Sequence, residues 1–202
     1  VDAEIDGGAA VIGGDAEHHD GFAMWPTRLN PWNAANMGPC RDVVGQLEKS
    51  IRARGLKYMV ALHHAENWKF YPHWRDEFDT ANPAYAGLYG EPHDLEFKSR
   101  LPELVVHENN WAMQTRPSQA FLQQWLGKCQ EIVDLYAPDL VWFDFGLEFV
   151  QEHYKREMAA YYYNQAEKWD RDVALTYKWH HMVPGSGLED VELGGADVMR
   201  YN

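Results

Sequence analysis

The chain has 202 residues, 46% hydrophobic and 14% aromatic, with nine Trp, eleven Tyr and a formal net charge of -13. That length suits a single domain over residues 1–202 with a sizeable core and is too short for two. The acidic balance, without any dense Lys/Arg run, excludes a nucleic-acid partner, and no apolar run approaches the roughly 18 to 20 residues of a membrane span.

Short apolar runs of strand length occur at Ala9 to Ile12, Tyr58 to Leu62, Leu140 to Phe143, Val173 to Tyr177 and, weakly, Ala196 to Met199. Between the first two, Arg41 to Arg54 reads as a helix: Val43, Val44, Leu47 and Ile51 share a face, Asp42 stands near its start, basic residues end it and Gly55 follows. Glu66 to Pro117 has little periodicity and many aromatics, prolines and histidines, and reads as a long functional loop. Ser118 is the expected N-cap of a second helix, in which Phe121, Leu122, Trp125, Leu126, Cys129, Ile132, Val133 and Tyr136 form a wide apolar stripe that Pro138 stops. A third helix is expected over Glu148 to Asp170. Cys40 and Cys129 lack metal-ligand spacing, so neither a disulfide framework nor a zinc knuckle follows from them.

Helix, turn, strand, loop, helix is the grammar of a parallel sheet, and the expected class is α/β. Polar residues directly follow several different strands, as at the C-terminal mouth of a (β/α)8 TIM-type barrel. About five strands are visible against eight in a complete barrel, so the barrel is expected to be incomplete at both ends. The chain opens on Val1 and not on Met, so the lack of a leader says nothing about compartment.

Chemistry concentrates at two of these strand ends. Leu140-Val141-Trp142-Phe143-Asp144-Phe145-Gly146 closes an apolar strand on a carboxylate among aromatics, which suits either a loop cap or a nucleophile held at a barrel mouth. Glu17-His18-His19-Asp20-Gly21-Phe22 places two imidazoles at another strand end, and His63-His64 and His180-His181 follow two more. Neutral imidazoles can bond sugar hydroxyls. They are also common zinc ligands, so a metal-dependent hydrolase using them with Asp20 or Asp144 is the rival enzyme class.

These segments, in this order, resemble the α-L-fucosidases of glycoside hydrolase family 29, and the resemblance covers nearly the whole chain. His18-His19-Asp20-Gly21-Phe22-Ala23-Met24-Trp25 is similar to that family's HHDGF(x)(x)W segment, Gly38-Pro39-Cys40-Arg41-Asp42-Val43-Val44-Gly45 to its GPKRDLVG helix start, and Trp142-Phe143-Asp144 to its nucleophile strand. Tyr161-Tyr162-Tyr163-Asn164 follows at a family-like spacing. The resemblance implies an exo-acting enzyme that removes terminal α-L-fucose from a fucosylated oligosaccharide or polysaccharide, with retention and without metal or organic cofactor. It makes Asp144 the nucleophile, gives His18, His19, Trp25, Trp142 and Lys178 to substrate binding, and favours a periplasmic or secreted setting. Lys178 falls where relatives often carry an Arg. Retention needs a second carboxylate roughly 5 Å from the first. Glu192 is assigned that acid/base role by a loop resemblance, with Glu189 and then Glu66 behind it. The stretch Leu62-His63-His64-Ala65-Glu66-Asn67-Trp68 departs from the Tyr-Ser-rich strand end of relatives, so substrate contacts there need not follow theirs; the missing barrel ends and an acid/base that no motif fixes leave a non-catalytic sugar-binding or degenerate domain as a third reading.

Overall fold

The computed structural model describes residues 2–94 and 116–190. In chain order the elements are α1 (Asp2–Asp6), β1 (Val11–Glu17), α2 (Val43–Arg52), β2 (Lys57–Leu62), α3 (His64–Phe70), α4 (Ala86–Tyr89), α5 (Gln119–Tyr136), β3 (Leu140–Phe143), α6 (Glu152–Trp169), β4 (Ala174–Lys178) and β5 (Leu188–Asp190).

The five strands form one sheet in the order β1-β2-β3-β4-β5, every pair parallel. Each strand is added beside the one before it, so right-handed crossovers carry their helices to one face of the sheet. The packing agrees: α2 lies on β1 and β2 and touches α5, and α5 packs along α6. This is an α/β fold with a sequentially ordered parallel sheet, and among the described residues the strand order shows no reversal of the kind that marks a doubly wound sheet.

Side-chain alternation separates the two faces of the sheet. Tyr58, Val60, Leu62, Val141, Phe143, Leu175 and Tyr177 are buried in one cluster with Ile51 of α2, Trp125 and Ile132 of α5, and Met158 and Tyr162 of α6. Full burial of an aliphatic side chain such as Ile51, Ile132 or Leu175 contributes about 1.5–3 kcal/mol. On the other face Met59, Trp142 and Thr176 are only half-buried.

The helix ends follow their expected chemistry. Asp42 Oδ1 accepts from the Gly45 amide at 2.8 Å and starts α2, and Ser118 Oγ accepts from the Phe121 amide at 3.1 Å and starts α5. At the N-terminal end of the sheet, Asp139 accepts from Arg52 Nη1 at 2.8 Å and from the Tyr58 amide at 2.9 Å. Arg171 Nη1 stands 3.4 Å from its other oxygen. Asp139 therefore joins the starts of β2, β3 and β4, whereas Asp144 leaves the opposite end of β3.

Two strands differ from expectation. β1 runs on through Gly13, Gly14 and Asp15 to Glu17 because it lies close against β2: a Cβ on Gly13 would overlap the Met59 carbonyl. β5 occupies three residues whose sequence reads as loop. The weak strand expected at residues 196–199 lies outside the described residues. Within the long segment after Glu66, the described part holds α3, two 3-10 turns and α4. No helix among the described residues is long and apolar enough to cross a membrane.

Candidate active site

The chemistry-bearing side chains gather at the C-terminal ends of β1 to β4. Asp144 is one residue beyond β3, its amide 3.4 Å from the Leu62 carbonyl of β2, so the sheet register carries directly into the site. Gly146 turns the following loop with φ 97, and a Cβ there would overlap the Ala65–Glu66 backbone. Glycine is what allows this loop to lie on the start of α3.

Each Asp144 oxygen meets a nitrogen. His63 Nδ1 lies 2.9 Å from Oδ2, and Lys178 Nζ, at the end of β4, lies 2.6 Å from Oδ1. Burial pushes the Asp144 carboxyl up, but hydrogen bonds from His63 and Lys178, together with their charges, outweigh it and hold it at about 2. His63 Nε2 stands 3.1 Å from Asp15 Oδ1 of β1. Burial pulls His63 down, yet its bonds to Asp144 and Asp15 raise it above an ordinary imidazole. An ionised carboxylate has about four lone-pair directions, so two such partners still leave room for attack on an electrophile. Lys178 Nζ also sits 4.1 Å from the Phe145 ring centroid and 5.0 Å from that of Trp142.

His18 and His19 enter from the turn after β1. The His18 ring lies 4.1 Å from that of His19 and 4.6 Å from that of His63, and His19 stacks on Phe70 at 4.5 Å. Burial and the neighbouring His18 and His63 lower His19 to about 4, so it stays a neutral donor and acceptor. Its Nδ1 is 3.5 Å from Oε2 of Glu66, which is buried in α3. Burial and the charges of Glu148 and Asp144 push Glu66 up to about 7, despite the pull of His63 and Lys178. Ligand nitrogens of His18, His19 and His63 lie within 4.8 Å of one another, close enough to be drawn round a metal ion.

Of the residues singled out from sequence, His18, His19, Trp142, Asp144 and Lys178 come together here. Trp142 is half-buried and donates from Nε1 to Asp190 Oδ2 of β5 at 2.9 Å. Trp25 does not join them. It is fully buried, and its Nε1 donates to Glu131 of α5 at 3.1 Å, so it packs the helix layer and has no face open to a sugar. Glu192 lies outside the described residues. Glu189 is half-buried on β5 and pairs with His180 at 3.2 Å. The six paired histidines split: His64 turns under the sheet edge to Glu17, His180 is exposed, and His181 pairs with Glu148 at 3.2 Å. Glu17 also takes Lys128 Nζ of α5 at 2.7 Å in a buried ion pair. Asp20 is a loop cap, accepting from the Phe22 amide at 3.1 Å.

Sequence reasoning misses Asp15 and the pairing role of His63. Asp15 lies in a stretch without an apolar run, and only the β1–β2 register, which sets it opposite Ala61, brings it beside His63. A cavity lined by Tyr163, Glu167, Asp170 and Arg171 adjoins the start of β4, at the far end of the sheet from Asp144.

The family model described as Alpha-L-fucosidase matches residues 3–194. The tissue alpha-L-fucosidase of Rattus norvegicus is 28% identical over 174 residues, covering 85% of this chain and 30% of that protein. The Homo sapiens tissue enzyme is 31% identical over 109 residues, 52% of this chain and 23% of its own length. A Thermotoga maritima alpha-fucosidase solved with fucose superposes with a TM-score of 0.61 at 22% identity, over 93% of this chain and 36% of that one. The chain thus spans about a third or less of the length of these relatives. A family match that runs through β1 to β5, and so through every strand end that builds the site, places this chain in the alpha-L-fucosidase family of glycoside hydrolases.

Proposed function

We propose that this chain carries the catalytic centre of a retaining exo-α-L-fucosidase built on a (β/α)8-type barrel, acting on terminal α-L-fucose of a fucosylated oligosaccharide or polysaccharide. The observation that carries the proposal is the Asp144 carboxylate, kept ionised between His63 and Lys178 on the rim that His18, His19 and Trp142 also line. Asp144 attacks the anomeric carbon and forms a glycosyl-enzyme ester, while an acid protonates the departing oxygen; the same acid, now a base, then activates water. His18 and His19 bond fucose hydroxyls, and Trp142 borders the sugar.

We assign the acid/base role to Glu192. What supports this is the pairing of Lys178 with Asp190 across β4 and β5. Trp142 Nε1 donates to Asp190, the last residue of β5, at 2.9 Å, and Glu192 follows Asp190 by two positions in the sequence. Glu189 and Glu66 stand behind it: one is tied to His180, the other is buried against His19. Replacement of Asp144 by Gly is expected to abolish release of p-nitrophenol from p-nitrophenyl α-L-fucoside. Full activity in that variant would refute the assignment.

The convergence of His18, His19 and His63 supports a second reading, a metal-assisted hydrolase. His63 would then have to give up Asp15 or Asp144, which makes it the weaker choice. Activity that survives exhaustive chelation argues against it.

A further inference from the structure

A run of partly exposed aromatic rings begins at the edge of the site. Phe70, stacked on His19, is 41% exposed. From it the ring centroids step to Tyr71 at 5.0 Å, to Tyr89 at 4.8 Å, to Tyr85 at 6.4 Å and to Trp32 at 5.9 Å. Core aromatics of this chain such as Trp25, Trp125 and Tyr58 are at most 1% exposed, whereas Tyr71, Tyr89, Tyr85 and Trp32 all keep an intermediate share of their surface. The Tyr71, Tyr85 and Tyr89 hydroxyls make no hydrogen bond among the described residues. Packing alone leaves these exposed faces and polar tips unexplained. Sugar rings offer C–H faces that suit aromatic faces and hydroxyls that suit phenols. The run starts at Phe70, which stacks on His19; the His19 ring lies 5.4 Å from that of His63, which holds the Asp144 carboxylate.

We propose that Phe70, Tyr71, Tyr89, Tyr85 and Trp32 form the subsites for the leaving-group side of the substrate, so that this site is built for fucose attached to an oligosaccharide and not for a small fucoside. This rests on the fucosidase reading above. Fucose occupies the rim between Asp144 and His19, the first sugar beyond the scissile bond lies over Phe70 and Tyr71, and the next lies against Tyr89 and Tyr85. Charge is compatible, because a neutral glycan meets no repulsion from an acidic protein.

The test compares α-L-fucosyl fluoride, whose leaving group reaches none of these rings, with a fucosylated lactose trisaccharide. Tyr71→Ala and Tyr89→Ala are each expected to lower the ratio of kcat/KM for the trisaccharide to that for the fluoride at least tenfold, chiefly through KM. A ratio unchanged within twofold, with both substrates slowed together, would overturn the proposal and mark the rings as loop packing. Calorimetry on Asp144→Ala separates this from failure of the fucosidase reading. Tighter binding of the trisaccharide than of free fucose, lost on adding Tyr89→Phe or Tyr89→Ala, supports the subsites even without turnover, and equal binding of the two sugars overturns them.

Discussion

Lys178 Nζ at the end of β4 lies 2.6 Å from Asp144 Oδ1 just past the end of β3, and both groups are almost fully buried. Neighbouring parallel strands end side by side, so their last residues meet across the sheet, and here a cation and an anion meet at the strand ends that build the site. With His63 on the other oxygen, Asp144 is ionised far below neutral pH.

Replacing Lys178 by Met removes one of the two partners that hold Asp144 down. A nearby opposite charge depresses a carboxylate pKa by about 1–3, so the acid limb of the kcat/KM profile should move up by about one pH unit or more. The pH profile on an aryl fucoside checks this, and an unmoved acid limb would show that Lys178 does not tune Asp144.

Glu66 makes a stability prediction. Its folded value of about 7 lies above the ordinary 4.5, so the folded state binds more protons between those values, and stability is fully present below pH 4.5 and lost as pH rises through 7. The Glu66→Gln variant carries no such penalty. It should match the parent in acid and be more stable by about 1–3 kcal/mol above pH 8, since a tenfold change in proton affinity corresponds to about 1.4 kcal/mol. Denaturant melts at the two pH values decide it.

The Glu17–Lys128 pair, with His64 on the other Glu17 oxygen, is buried between β1, α3 and α5. Burial pushes Glu17 up, but His64 and Lys128 hold it at about 2. Lys128→Met leaves that buried charge without its lysine and should cost about 3–5 kcal/mol, while Glu17→Gln with Lys128→Met should recover most of the loss. Equal stability of the single and double variants in urea would contradict this.

Gly146→Ala forces a Cβ into the backbone of Ala65 and Glu66 at a residue with φ 97. Strain of this kind costs about 1–3 kcal/mol, and moving the loop also displaces Asp144. Loss of turnover together with a lower Tm is expected; an unchanged Tm would show that the loop yields freely.

Sequence makes the central strands legible because β2, β3 and β4 are apolar runs, and it locates α2 and α5 through Asp42 and Ser118, caps that the structure retains. β1 reads short because Gly13-Gly14-Asp15 carries no apolar signal, and its strand state depends on close approach to β2. β5 escapes notice because Leu188-Glu189-Asp190 is three residues long and mostly polar. Asp144 stands out as a charge ending an apolar strand. The His63 link from Asp144 to Asp15 does not, because pairing between strand ends depends on a register that no local pattern encodes. Trp25 is misplaced by its motif because a motif gives order along the chain but not the direction of a side chain, and this one points into α5.

The most direct test is trapping with a 2-fluoro-L-fucosyl fluoride, in which the fluorine at the second carbon slows both steps and the good leaving group restores the first. Peptide mass spectrometry should find the fluorofucosyl ester on Asp144, with turnover lost in proportion to labelling. A label on another carboxylate, or continued hydrolysis with inversion and no label, would contradict Asp144 as the nucleophile.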